Sequence, residues 1–243
     1  MYNFLGLVND LANHFNEVEL NATNFGSAVG EYASFKRAVN HSIRRINQSE
    51  VEWPWNHITY EETLTAGTTR YAYQSDAKLV NFNTFRLKYD STIGNDSKYL
   101  PQVDYEEYLQ NWVDQEYREE AGDTTHREVP RCVFRTPDRK YGLYPTPKEA
   151  YTLVYEYFAL PTDLSAHDDV PSIPDQFRYV INEGAMAYAE RFRGNEEGAM
   201  ISEQNFQQFV RDMKGIYINR LEYARSTVLP KRSASYDIGL YNY

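Results

Sequence analysis

Paired acidic side chains are the residues of this chain whose chemistry would be easiest to use, because glycosidases work with two carboxylates held a few ångströms apart. Adjacent residues point to opposite faces of a strand and diverge on a helix, so a doublet does not place both carboxylates at one site. We interpret the doublets as surface charge, and an enzyme would need a cleft holding two carboxylates roughly 5 to 9 Å apart. The doublets are Glu61-Glu62, Glu106-Glu107, Glu119-Glu120 and Glu196-Glu197.

The residues that could bind a metal or act as a nucleophile give even weaker evidence of a site. The single cysteine, Cys132, cannot complete a thiolate zinc site or an internal disulfide, and we predict that it is buried as a small apolar residue. The loop residues His167-Asp168-Asp169 are a weak metal candidate that lacks a further ligand cluster. Walker, GxGxxG, GxSxG and HExxH motifs are absent. The sequence therefore predicts no catalytic residue, no metal and no cofactor. The histidines are dispersed at His14, His41, His57, His126 and His167.

The composition excludes further classes of protein. The chain has 243 residues, a formal charge of −10 and a pI near 5.0, which argues against binding nucleic acid through phosphate contacts. No stretch approaches the roughly 20 apolar residues that span a bilayer, and residues 1–15 lack the features of a signal peptide. We expect a soluble protein assembled in a reducing environment. Its 22 tyrosines against 12 phenylalanines suit β surfaces and partly wet interfaces.

Helical periodicity at both ends must position whatever the protein uses. Residues Phe4, Leu7, Val8, Leu11 and Phe15 predict a first helix, and apolar steps of three and four predict a long helix over about 24–49. Towards the other end, helices are predicted over about 174–193 and 197–226. Neither end can bury its own apolar stripe, so we expect the two ends to pack on each other as a bundle.

Two details of these helices carry expectations. The basic face of the long helix is interpreted as solvated or paired with acidic neighbours rather than as a nucleic-acid surface. In the helix over 174–193, the small residues Gly184, Ala185 and Ala187 would allow another helix to approach closely. The basic residues are Lys36, Arg37, Arg44 and Arg45.

The middle of the chain changes to the period of strands. Six to eight short alternating runs lie between residues 58 and 159, with a hairpin turn predicted at Ala66-Gly67-Thr68 and one helix over about 104–120, capped by Asp104. The predicted fold is α+β: a helical bundle of residues 1–57 and 160–228 with an inserted antiparallel β-sandwich or barrel-like domain, residues 58–159.

Trp53-Pro54-Trp55 forms a rigid apolar corner where the long helix must stop, because Pro54 disfavours helix at the preceding residue. We interpret this structural corner as a plug between the helices and the β domain. The alternative is an anchor for another subunit.

The C-terminal segment, residues 229–243, is not helical in pattern yet is rich in large apolar groups. We predict an extended arm that becomes ordered against a partner, for example by adding a strand, and the alternative is an unattached terminus. The candidate portal or subunit interface residues are Tyr236, Ile238, Leu240, Tyr241 and Tyr243.

The order of these parts resembles the head-to-tail adaptor proteins of short-tailed bacteriophages, also called tail tubular protein A. The resemblance covers nearly the whole chain: the long helix leading into Val51-Glu52-Trp53-Pro54-Trp55-Asn56, the β-rich insertion, residues 151–157, residues 169–177 and two closing helices. The tryptophan corner and the stretch Ile173-Pro174-Asp175-Gln176-Phe177 are its most specific parts. The β insertion with its own helix is larger than such an adaptor needs, which leaves its contacts open.

The resemblance implies a structural virion protein, not an enzyme. It would form a ring of identical subunits, typically twelve, between the portal protein and the tail nozzle protein, assembled in the host cytoplasm. Genomic DNA would pass through without sequence-specific binding, and no membrane is involved. The resemblance places the three long helices in the bundle that lines the channel or docks on the portal, the arm in the portal contact, and the β domain outward.

The competing hypothesis is a carbohydrate- or receptor-binding β-sandwich module of a phage tail. In such a module, exposed tryptophans would stack on sugar rings. Trp53, Trp55 and Trp112 discriminate the two hypotheses: clustered on one exposed β face they favour the binding module, and buried at the helix-to-sheet junction they favour the adaptor.

Overall fold

A computed structural model describes residues 2–92, 94 and 96–218. In this part of the chain, seven α-helices and two four-stranded sheets are joined by 3-10 turns at Pro54–Asn56 and Asp175–Phe177. The helices are α1 Phe4–His14, α2 Ala22–Phe25, α3 Glu31–Ser49, α4 Tyr105–Asn111, α5 Asp114–Glu120, α6 Arg178–Phe192 and α7 Glu196–Tyr217. The strands are β1 His57–Thr63, β2 Arg70–Ala72, β3 Ala77–Leu87, β4 Lys98–Tyr99, β5 Gln102–Val103, β6 Cys132–Arg135, β7 Lys140–Tyr144 and β8 Thr152–Ala159.

Helices from the two ends of the chain share one hydrophobic core, as their one-sided patterns predict. That core takes residues from positions 4–53 and 173–213 and contains α1, α3, α6 and α7. A side chain at Gly184 would place its Cβ 2.3 Å from the Ser42 hydroxyl and 2.7 Å from the Phe206 ring. Helix α6 therefore packs closely against both α3 and α7 because glycine occupies this position.

Helix α1 is fixed to α6 by a buried polar network. Arg178 donates from Nε and Nη2 to the two carboxylate oxygens of Asp10, both at 2.6 Å, and Asn182 donates to the same carboxylate at 2.8 Å. The loop before α6 adds backbone bonds, since the amides of Phe4 and Leu5 donate to the carbonyls of Asp169 and His167. The first helix thus depends on residues more than 150 positions away.

The long helix begins later than its apolar steps predict. Gly30, with φ of 67°, precedes α3, and Val29 is 78 % exposed, so the predicted start near residue 24 is wrong. The residues before it form the one-turn helix α2 instead, because the Asn21 side chain accepts from the amides of Thr23 and Asn24. Backbone at positive φ cannot continue an α-helix, which sets the boundary.

The β part contains two sheets with strand orders β1-β8-β3-β4 and β2-β7-β6-β5. Inward-facing residues of both sheets belong to a single second hydrophobic core drawn from positions 64–159. β8 has more buried residues than any other described strand, and its Leu153 and Tyr155 are fully buried. The strands predicted at 131–135, 140–144 and 151–158 are confirmed within a residue or so at their ends.

Three expectations for the β part are wrong. Strands β1 and β2 flank the predicted turn but lie in different sheets: β1 pairs with β8 and β2 with β7, so they form no hairpin. β5 pairs with β6 in parallel, so the sheets are not purely antiparallel, and neither sheet closes into a barrel in the described residues. The helix over 104–120 is two helices, α4 and α5, and Asp104 makes no side-chain cap bond.

The break between α4 and α5 has a physical cause in Trp112. This residue leaves helical geometry, with φ of −136° and ψ of −4°, and its ring stacks on Tyr144 at 4.7 Å between centroids. One turn earlier, Tyr108 stacks on Phe134 of β6 at 3.7 Å. The two rings, four residues apart, therefore both stack on the second sheet at the point where the helix is interrupted.

Five of the 22 tyrosines are buried in this second core. Tyr71 stacks on Tyr141 at 5.4 Å between ring centroids, and Phe85 stacks on Tyr155 at 4.7 Å. Tyr141 donates its hydroxyl to Glu62 and Tyr157 donates to Asp76. Burial raises the pKa of Tyr71 and of Tyr157 to about 12. At Tyr71, Tyr141 and Tyr157, tyrosine is therefore a large apolar ring whose hydroxyl keeps a hydrogen-bond partner.

Candidate assembly surfaces

The tryptophan corner belongs to the helical core. Trp53 is fully buried and its ring stacks on Trp55 at 4.5 Å between centroids. Trp55 also meets the rings of Phe177 and Tyr217, at 6.4 and 5.5 Å. The corner, with Pro54 between the two rings, therefore joins the end of α3 to the start of α6 and the end of α7.

The indole N–H groups of Trp53 and Trp55 both donate to residues of α3. The indole N–H of Trp53 donates to the Ile46 carbonyl at 2.8 Å. The side-chain oxygen of Asn47 accepts from the Trp55 indole at 3.2 Å and from the Asn56 amide at 2.8 Å. Because buried donors are costly without acceptors, these bonds fix both rings in one orientation.

Two lysines donate to the C-terminal end of α3, Lys78 from the β part and Lys214 from α7. Lys78, on β3, donates to the carbonyls of Asn47 at 2.6 Å and Glu50 at 2.8 Å. Lys214, on α7, donates to the Ser49 carbonyl. Burial lowers the pKa of Lys78 below its ordinary value. Lysines at a helix C-terminus satisfy its last carbonyls and favour its dipole, so these contacts set how the sheet meets the bundle.

The basic face of α3 is engaged by acidic partners at two of its arginines. Arg44 pairs with Asp163, and Arg45 donates to Glu203 of α7 at 2.8 Å while lying 4.4 Å from the Phe206 ring. Lys36 instead lies over the Phe25 ring. The interpretation of this face as paired rather than nucleic-acid-binding is supported at these positions.

The bond to Arg45 holds the pKa of Glu203 below its ordinary value of 4.5. A depressed folded-state pKa stabilises the fold above the unfolded-state value, and this contribution is lost as the pH falls through the folded-state value. We expect Glu203→Gln to lower the free energy of unfolding by about 1 kcal/mol at pH 7. The deficit should shrink below pH 4.5, measured by urea unfolding across pH.

Asp212→Asn is the matched control for that prediction, because Asp212 is an exposed carboxylate on the same helix. It should change stability far less at pH 7. A Glu203→Gln deficit that stays constant from neutral to acid pH would contradict the role of the ion pair.

Exposed apolar side chains lie at the other end of the bundle, where α3 and α7 begin and α6 ends. There Arg193 bridges Glu17 and Glu31, at 2.9 and 2.6 Å, and lies 4.4 Å from the Phe15 ring, which holds the loops around α2 against the end of α6. We call the exposed apolar residues beside this clamp the distal patch; each is more than half exposed. They are Val18, Val29, Phe192, Met200 and Ile201.

The apolar period of α6 predicts that Tyr188 and Phe192 lie on its buried stripe with Ile181 and Ala185, and this prediction is wrong. Phe192 is 61 % exposed and Tyr188 37 % exposed, with Tyr188 lying against His41. The helical period identifies a face but cannot tell how far the neighbouring helices extend along it. The sequence indicated the exposure of Phe192 in one way: this residue is only two positions before Gly194, where the helix ends.

The residues considered for chemistry are not gathered into a reactive site. Among the described residues, no group of three or more His, Cys, Asp or Glu could hold a metal. Asp169 accepts the amides of Ser165 and Ala166, so this member of the weak metal candidate closes a loop. Cys132 is buried and burial raises its pKa to about 11. Glu61 pairs with Lys88 whereas Glu62 accepts from Tyr141, so this doublet diverges as expected.

The tryptophans form no exposed row on a sheet. Trp53 and Trp55 pack in the helical core, and Trp112 stacks on Tyr144. This arrangement argues against the sugar-binding hypothesis at these residues. The candidate interface residues Tyr236, Ile238, Leu240, Tyr241 and Tyr243 lie outside the described residues. In the described part of the chain, no helix has the length and apolarity that a bilayer crossing requires.

The described residues combine a bundle that carries the distal patch with a β part that follows the tryptophan corner, the surfaces expected of a protein that assembles with others. A family model described as SU10 adaptor protein matches residues 2–231. The chain therefore belongs to the SU10 adaptor protein family. This is a family of phage head-tail adaptors with a structural role in the virion, and it is not a known class of enzyme. No curated protein matches the chain.

Proposed function

We propose that this adaptor forms a ring of identical subunits, twelve in number, between the portal protein and the tail nozzle protein of a short-tailed phage, as a tail tubular protein A does. The observation that carries the proposal is the family match over residues 2–231. Assembly into the virion requires docking faces, and the family's structural role agrees with a chain whose described residues hold no metal cluster.

The surfaces suit a ring in a specific way. A ring interface is heterologous, so each subunit needs two different patches rather than one self-complementary patch. The distal patch supplies one apolar surface at the end of the bundle, and the arm of residues 229–243 supplies a second element of apolar character. We propose that the arm contacts the portal or the neighbouring subunit. The β part, residues 58–159, faces outward as a separate domain built as a sandwich.

The charge of the protein suits a DNA passage. A net charge of −10 disfavours tight phosphate contacts, which would hold a duplex that must slide. Arg44 and Arg45, on the helix proposed to be in the bundle, are paired with Asp163 and Glu203. We therefore propose that genomic DNA passes the ring without sequence-specific binding.

Mixing the purified protein with the portal protein and imaging the product by electron microscopy tests the proposal. We expect a closed ring of this chain on one end of the portal. A chain ending at residue 228 should associate more weakly, measured as the fraction of portals that carry a ring. Phe192→Ser, an exposed change in the distal patch, separates the contribution of that patch from that of the arm.

Two outcomes would overturn the proposal. One is a chain that stays monomeric at every concentration with portal present. The other is association that does not change when residues 229–243 are removed together with Phe192→Ser. Circular dichroism of each variant provides the folding control.

A further inference from the structure

Strand β1 is an open edge of the sheet with strand order β1-β8-β3-β4. It spans seven residues and pairs with β8 on one side, while among the described residues no strand pairs with its other side. The other three edge strands, β2, β4 and β5, have only two or three residues. β1 carries neither proline nor lysine, and its register with β8 has no bulge. A short strand, a proline, a lysine and a bulge are common devices by which proteins block edge pairing, and β1 has none of these four.

The hydrogen bonds identify which backbone groups point outward. Leu64, which continues β1, donates its amide to the Tyr151 carbonyl, and bonded pairs alternate along an antiparallel ladder. The residues bonded to β8 are therefore Ile58, Tyr60 and Glu62. Thr59, Glu61 and Thr63 direct their N–H and C=O groups to the open edge.

Strand β8 agrees with this assignment. The amide of Glu156, opposite Thr59, donates to the Thr84 hydroxyl at 2.9 Å, and the Thr152 carbonyl, opposite Thr63, accepts from Lys88 at 2.8 Å. Both groups thus point to β3 and not to β1. The backbone groups of Thr59, Glu61 and Thr63, at alternate positions of β1, are therefore available to form a hydrogen-bonded ladder with another strand.

The inner face beside this edge is incompletely covered. Ile58 and Tyr60 are only half-buried, whereas Leu153 and Tyr155 on the adjacent β8 are fully buried. Tyr60 lies edge-on to Tyr155 at 5.6 Å between ring centroids. A strand added here would pair with the backbone of β1 and cover these two side chains, so it should have apolar residues at alternate positions.

The chain itself contains such a segment. Tyr236, Ile238 and Leu240 alternate with Asp237 and Gly239. Lys231 and Arg232 precede the segment, which gives its approach a charge opposite to that of the acidic protein.

The point at which the described chain stops also fits. Tyr217 is the last residue of α7, and its ring lies 5.5 Å from that of Trp55. Trp55 is two residues before the start of β1. The 19 residues from Ile218 to Tyr236 span up to about 60 Å when extended. The width of a compact chain of this size is about 45 Å, so the segment can reach the β1 of an adjacent copy.

We propose that residues 236–241 of one copy add as a fifth strand to the open edge of β1 in the next copy. The proposal rests on the proposed ring and names one of its contacts. The β1 edge and the C-terminal segment are two different surfaces, as a heterologous contact requires.

A peptide of residues 229–243 with a fluorescent label tests the edge directly, with the chain ending at residue 228 as receptor. We expect saturable binding by fluorescence anisotropy. Thr59→Pro removes an outward N–H but no bond to β8, so the receptor should fold and bind at least about tenfold more weakly. Thr59→Ala keeps the N–H and should bind within about twofold of the unmodified receptor.

Cross-linking of the full chain identifies the copy that supplies the strand. Chains carrying Thr59→Cys and tagged chains carrying Ile238→Cys are mixed and treated with a short bismaleimide, with the unmodified chain as control for buried Cys132. We expect dimers of one tagged and one untagged chain. A full chain carrying both cysteines should give multimers of cross-linked subunits.

Absence of peptide binding, equal binding to the Thr59→Pro receptor, or a doubly substituted chain that cross-links only within itself would each overturn the proposal. These results leave the ring testable separately, because ring formation on the portal is scored by imaging. Conversely, peptide binding and cross-links between copies without a ring on the portal would preserve the strand contact and reject the proposed adaptor ring.

Discussion

Trp53→Ala is expected to lower the free energy of unfolding by about 3 to 5 kcal/mol, the cost of truncating a large buried aromatic residue. The side chain is fully buried, its ring stacks on Trp55, and its indole N–H donates to the Ile46 carbonyl. Loss of the ring leaves a cavity where α3 ends and β1 begins. Urea unfolding, followed by far-ultraviolet circular dichroism, measures the change.

Two substitutions make that prediction specific. Trp53→Phe keeps an apolar ring and removes only the indole bond and part of the volume, so we expect about half the loss or less. Trp112→Ala removes a half-buried tryptophan outside the helical core and should cost less than Trp53→Ala. Equal losses for Trp53→Ala and Trp112→Ala would contradict the central role of the corner.

Gly184→Ala is expected to destabilise the protein by about 1 to 3 kcal/mol, although alanine is intrinsically the better helix former. The new Cβ would lie 2.3 Å from the Ser42 hydroxyl and 2.7 Å from two atoms of the Phe206 ring. Phe206 and Ser42 are both buried, so neither can move away without disturbing α3 or α7. The same urea measurement reports the loss.

Gly215→Ala is the matched control, because Gly215 also lies within a helix, α7, and a Cβ there would meet nothing within 4 Å. It should leave stability unchanged or raise it by up to about 1 kcal/mol. Opposite signs for the two alanines would establish close helix packing at Gly184. A stabilising Gly184→Ala would show that the three helices are further apart than described.

Much of this architecture could be predicted from local pattern. The steps Phe4, Leu7, Val8 and Leu11 specified α1, and the alternation over 151–158 specified β8, because a face that must be buried imposes its period on the sequence. The small residue at Gly184 likewise predicted close helix approach. The absence of catalytic motifs was also readable, since such motifs depend on residue type and spacing.

Pairing across the chain was not predictable in the same way. The turn at Ala66-Gly67-Thr68 has hairpin chemistry, yet β1 pairs with β8, about 90 residues away, and β2 pairs with β7 in the other sheet. Nothing local indicates which of two strands a third will join. The division of 104–120 into α4 and α5 likewise follows from stacking of Trp112 on Tyr144.

The sequence by itself determined that both ends are helical, that the middle is β-rich and that no stretch gathers catalytic residues, since periodicity and residue type are local properties. Only the tertiary structure decided which tyrosines are buried in the second core, that Phe192 is exposed and that β1 is left as an open edge. These features depend on which elements become neighbours, and that choice is made by the burial of surfaces far apart in the chain.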